Sequence, residues 1–84
     1  MVTDFVSINR MKDAKKMALA YEIADALNDR KSIDQHIGYA HRFSEEFLRE
    51  QLEYVLSKPA GEIEKSRAAY FVYLVKRGGY KSWN

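Results

Sequence analysis

Four stretches of this sequence repeat apolar side chains three and four residues apart, and each ends at a signal that stops a helix. That pattern constrains the fold more than any other feature. A 3.6-residue period makes an amphipathic helix, and its apolar stripe has to be covered by another. In the first stretch, from about Met11, the stripe is Met17, Ala20, Ile23, Ala24 and Leu27, with Lys15, Glu22 and Asp25 opposite. It stops at Asn28-Asp29. Ser32 with Gln35 three residues later reads as a capping box, and Ile33, Ile37 and Ala40 make the stripe of a short second helix that halts at Phe43. Gly38 weakens this helix by roughly 1 kcal/mol relative to alanine unless close helix packing needs the missing side chain.

Ser44 starts a third helix. Glu45 and Glu46 favour the positive end of its dipole, and Phe43 is placed to staple against Leu48. Leu48, Leu52, Val55 and Leu56 form its buried stripe, and Lys58-Pro59-Ala60-Gly61 breaks it. A fourth helix is expected from about Lys65 to Arg77. Gly78-Gly79 should end it, with Gly78 at positive φ and Tyr80 to Trp83 turning away as a tail. Phe5, Val6 and Ile8, ahead of the first stripe, suit a strand, an extended arm or a leading helical turn. The expectation is an all-α fold: a single compact bundle of about four helices over residues 1–84, with an aromatic-basic C-terminal tail.

Eighty-four residues hold one core, and 46% hydrophobic with 31% charged residues is a globular composition. There is no cysteine, which suits a reducing compartment and excludes disulfides and thiolate metal sites. No apolar run approaches membrane-spanning or signal-peptide length, so no membrane partner and a cytoplasmic location are expected.

Metal and acid–base chemistry find little support. His36 and His41 are five residues apart, about 140° around one helix, and do not share a metal as an i, i+4 pair would. The carboxylates Glu45, Glu46, Glu50 and Glu53 line a solvated face beside Arg49, with no histidine placed to form a relay. No nucleophile elbow or phosphate loop is present. The chain therefore reads as non-enzymatic, with no catalytic residue, metal or cofactor. Helices two and three meet at Arg42-Phe43-Ser44-Glu45, which invites a helix-turn-helix comparison. A recognition helix opening on two glutamates would repel the phosphate backbone, so a core hairpin is the better reading.

Charge is unevenly spread. Residues 1–43 carry seven basic and six acidic side chains, residues 44–64 two and six, and residues 65–84 five and none. The last segment also holds five aromatics. At 100° per residue, Ala68, Phe71, Val72 and Val75 share an apolar side of the fourth helix, flanked by Leu74. Ser66, Tyr70, Tyr73 and Arg77 lie opposite, with Ala69 and Lys76 beside them. Tyrosine rings stack on bases, at about 1–3 kcal/mol per base, and adjacent cations neutralise phosphates. The candidate binding residues are therefore Tyr70, Tyr73, Tyr80 and Trp83 for stacking, and Lys65, Lys76, Arg77 and Lys81 for phosphate contacts. The same residue types dominate protein interfaces.

"LNDRKSIDQHIGYAHRFSEEFLREQLEYVL" followed by "IEKSRAAYFVYLVKRGG" resembles helical modules in replication-associated proteins of plasmids, phages and other mobile elements. In such modules a run like "KSRAAYFVYL", Lys65 to Leu74, opens the last helix. The resemblance covers about fifty residues and leaves the first helix without a counterpart. It implies a DNA-replication setting in which the basic-aromatic end contacts DNA or a replisome partner. Two readings follow. One is an accessory protein that binds nucleic acid, single-stranded or weakly sequence-specific DNA. The alternative is a protein–protein adaptor or inhibitor, with a homodimer as one form, using the tyrosine-rich face and the acidic third helix.

Overall fold

The structure, a computed structural model, describes residues 3–63 and 66–82. It is an all-α bundle of four helices: α1 (Thr3–Ala26), α2 (Ile33–Arg42), α3 (Glu45–Ser57) and α4 (Arg67–Ser82). Single 3₁₀ turns at Arg30–Ser32 and Ala60–Glu62 join α1 to α2 and α3 to α4. No described helix is long and apolar enough to cross a membrane. Leu19, Ala20 and Ile23 of α1, with Leu27 just past its end, meet Tyr39 and Ala40 of α2, Leu48, Leu52 and Val55 of α3, and Phe71 and Val75 of α4 in one core. Ile23, Leu48, Val55, Phe71 and Val75 are sealed from solvent, each contributing about 1.5–3 kcal/mol by leaving water.

The helix ends follow local chemistry, though not always the expected one. α1 already runs from Thr3, so the backbone at Phe5, Val6 and Ile8 is helical. It stops where expected: Asn28 takes φ 54°, while Asn28 N–H donates to the Asp25 carbonyl at 3.1 Å and Asp29 N–H to the Ala24 carbonyl at 2.7 Å. Those two bonds make a Schellman cap, and asparagine tolerates the left-handed conformation it needs. Ser44 caps α3, its Oγ accepting from Phe47 N–H at 3.1 Å. Ser66 is not on the wheel of α4 but caps it, accepting from Ala69 N–H at 3.0 Å. The capping box at Ser32 does not form. Ser32 ends the 3₁₀ turn without a side-chain cap bond, and the Gln35 amide donates to the Tyr39 hydroxyl at 3.0 Å.

Three expected stripes are displaced at their edges. Met17 is 39% exposed and Leu19 takes its place in the core, while Leu56 is 45% exposed on α3. On α2 the buried residues are His36, Tyr39 and Ala40, with Ile33 and Ile37 half-buried at the margin. The reason is a polar pairing. Asp29, placed by the Schellman cap and buried, accepts from His36 Nε2 at 3.0 Å, which lets the imidazole enter the core. Its ring then meets Phe71 at 5.8 Å between centroids.

The largest correction concerns Gly78-Gly79. The helix does not end there, and neither glycine has positive φ: α4 continues through Tyr80 and Lys81 to Ser82. The glycines serve close approach instead. A Cβ on Gly79 would stand 2.8 Å from Phe43 Cε1, and one on Gly78 would stand 3.0 Å from Phe47 Cε1. The Phe43 and Phe47 rings, 5.5 Å apart, lie against the glycine side of α4. The double glycine is a packing notch rather than a hinge.

Candidate nucleic-acid interface

Ser66 and Arg67 fix the start of α4. The Arg67 guanidinium donates to the Lys58 carbonyl at 2.9 Å, tying the new helix to the end of α3. With Phe71 and Val75 turned inward, Tyr73, Lys76 and Arg77 fall on the solvent arc, Tyr70 is half-buried against the core at its edge, and the four divide into two groups.

Tyr70 and Arg77 belong to the side that meets α3. There Tyr54 packs edge-on against Tyr70, with centroids 6.1 Å apart, and the Lys58 ammonium sits 4.8 Å from the Tyr54 ring centroid. Tyr54 is 47% exposed and Tyr73 is 55% exposed. The neighbouring Tyr70 hydroxyl, and then the Lys58 ammonium, hold the Tyr54 phenol below its usual value. The Tyr54 phenol in turn raises both Tyr70 and Lys58. The Arg77 charge also reaches Tyr54. The result is a cluster of phenols and cations spanning α3 and α4.

Lys76 faces the other way, toward α2. Gln35, Gly38, Tyr39 and Arg42 fall at i, i+3, i+4 and i+7 along α2, so they form one stripe. That stripe and the Lys76–Gly79 side of α4 bound an open groove of about 960 Å³, closed at one end by Phe43. Each wall carries one cation, and no carboxylate lines the groove among the described residues. Gly38 widens it, since a Cβ built there meets nothing within 4 Å. Phe43 also borders a smaller hollow of about 240 Å³, lined in addition by Lys12, Lys15 and Lys16 of α1 and by Glu45.

Tyr73 lies on the arc between the two groups, about 60° from Lys76 and 40° from Arg77 at 100° per residue. Tyr80 and Lys81 occupy the last turn of α4. Lys65 and Trp83 lie outside the described residues. Sequence reasoning missed Tyr54, Lys58, Arg42 and the groove. Tyr54 and Lys58 form an i, i+4 pair, and the 35–38–39–42 spacing marks a second face of α2; both are periodic signals that a search for apolar stripes passes over.

Acidic residues border the cluster on the α3 side, where Glu62 acts on the Lys58 charge. Arg49 donates to Glu22 through two bonds, 2.6 and 3.0 Å, and to Glu45 at 2.7 Å, joining α1 to α3. Glu46, Glu50 and Glu53 are exposed along the outer ridge of α3. Among the described residues no group of three or more His, Asp or Glu side chains is arranged to hold a metal ion. Comparisons of the chain with protein-family models, with curated proteins and with solved structures return no match.

Proposed function

We propose that this protein is a non-enzymatic accessory factor that binds nucleic acid, single-stranded or weakly sequence-specific DNA, along α4. The observation that carries this reading is the joining of Tyr54 and Lys58 to Tyr70, beside the exposed Tyr73 and Arg77 of the acid-free segment 65–84. Exposed phenols supply stacking surfaces for unpaired bases, and the cations answer the phosphates between them. The acidic ridge of α3 bounds the surface, so the strand follows α4. Lys65, Tyr80, Lys81 and Trp83 extend the same composition at both ends of the segment. The resemblance to replication-associated modules of mobile elements supports a replication setting, and the cytoplasm is the compartment this reading implies.

Titration of a labelled single-stranded 20-mer at several salt concentrations tests it. Affinity should fall steeply with salt, and Arg77→Ala should reduce the log–log slope by about one. Absence of binding at low salt would refute it. A second reading, an adaptor for a basic protein partner or for a second copy of this chain, draws on the exposed Glu46, Glu50 and Glu53 ridge beside Tyr54. Concentration-dependent association in light scattering, lost in Tyr73→Ala, would favour that reading.

A further inference from the structure

We infer that the groove between α2 and α4 holds one nucleotide, base and phosphate together; this rests on the nucleic-acid reading of α4. Two features select the phosphate. Arg42 on one wall and Lys76 on the other bring cations from separate helices to one groove, and no described lining residue is acidic. Guanidinium and ammonium on opposite walls suit a phosphate between them, the arginine offering a bidentate fork and the lysine a point charge.

Two features select a flat heterocycle beside it. The Tyr39 and Phe43 rings, 5.9 Å apart, form an apolar end to the groove. The Gln35 side chain, already donating one N–H to the Tyr39 hydroxyl, retains a carbonyl and a second N–H for a base edge. A volume of about 960 Å³ lies within the range of roughly 300–1,000 Å³ in which small-molecule sites fall.

Gly38 leaves the α2 wall of the groove without a side chain. A helix-interior glycine costs about 1 kcal/mol relative to alanine, and here no neighbour requires the missing side chain. What the missing side chain does is keep the groove open. Since Lys76 adjoins Tyr73 on the surface of α4, a strand lying on the outer face can turn one nucleotide over Lys76 into the groove.

The test is titration of the full chain with 5′-AMP, followed by amide chemical shifts, with inorganic phosphate and polyglutamate as control probes. Saturable shifts at Gly38, Arg42, Phe43 and Gly79 are expected. Gly38→Leu, which projects a side chain into the groove, should abolish them. Arg42→Gln, at an exposed position, should weaken 5′-AMP about tenfold, the loss of one charge-assisted phosphate contact. Far-UV circular dichroism and melting temperature verify that both variants fold.

Shifts as large with phosphate alone, or with polyglutamate, would overturn the nucleotide assignment. If the 20-mer binds wild type and both groove variants equally while Arg77→Ala weakens it, the groove inference fails and the outer-face reading stands. If neither 5′-AMP nor the 20-mer binds the wild type, both fail.

Discussion

Two glycine-to-alanine substitutions in this protein should diverge, one stabilising and the other neutral to destabilising, although both lie inside helices. Gly38 of α2 and Gly79 of α4 would each gain about 1 kcal/mol of helix propensity on becoming alanine. At Gly38 nothing opposes the gain, because a methyl there meets no atom within 4 Å. At Gly79 the methyl would stand 2.8 Å from Phe43 Cε1 and 2.9 Å from Cζ. To retreat, the half-buried Phe43 ring has to give up its contacts with Tyr39 at 5.9 Å and Phe47 at 5.5 Å. Overpacking of this kind costs about 1–3 kcal/mol. Gly38→Ala should therefore stabilise by about 1 kcal/mol, and Gly79→Ala should fall below it by about 1–3 kcal/mol, the propensity term being common to both. In a domain of this size each 1 kcal/mol is about 4–8 °C in melting temperature. Urea unfolding at constant m-value reads the difference directly. Phe43→Leu removes the two ring atoms the methyl would meet, so in that background Gly79→Ala should recover toward the behaviour of Gly38→Ala. Equal stabilisation by the two alanines in the wild-type background would refute the notch, as would a Gly79→Ala effect indifferent to Phe43→Leu.

Other consequences follow from single contacts. Asp29→Ala should cost about 1–3 kcal/mol by urea unfolding, because it leaves His36 Nε2 buried without its acceptor; a neutral result would show that the pair does not hold α2 in place. Ser44→Ala and Ser66→Ala each remove a helix cap at about 1 kcal/mol, whereas Ser32→Ala, which loses no cap bond, should be close to neutral. The Arg49 bond, and the Coulomb attraction behind it, lowers the Glu22 carboxyl below its usual value of 4.5. A depressed carboxylate contributes stability above its unfolded value and loses it as pH falls through the folded value. The Glu22–Arg49 contribution is therefore present at neutral pH and fades below about pH 4.5. Both partners are exposed, so the effect is small and shrinks with salt, and Arg49→Ala should flatten the acid limb of the stability profile only slightly.

The bundle was legible because its stops are local. Asn28, Ser44 and Pro59 act through their own backbone or nearest amides, and the sequence carries that chemistry on its face. The Gly78-Gly79 pair was not legible, because a glycine at a helix end and a glycine against a distant ring look alike in one dimension. Only the return of Phe43 and Phe47 to α4 separates them. His36 entered the core for a similar reason: its acceptor, Asp29, lies seven residues back and is aimed by a turn. The α4 side of the proposed surface follows from its period. Its neighbours on α2 and α3 do not, since Arg42, Tyr54 and Lys58 join it through tertiary packing.

The central claim, that α4 with its neighbours on α3 carries the nucleic-acid surface, is tested most directly by mapping which amides respond to a saturating single-stranded 20-mer. Binding along α4 predicts the largest shifts at Tyr70, Tyr73, Lys76 and Arg77, with Tyr54 and Lys58 following and the outer ridge of Glu46, Glu50 and Glu53 unchanged. Shifts centred on the exposed Met17 and Tyr21 of α1, with α4 silent, would contradict it.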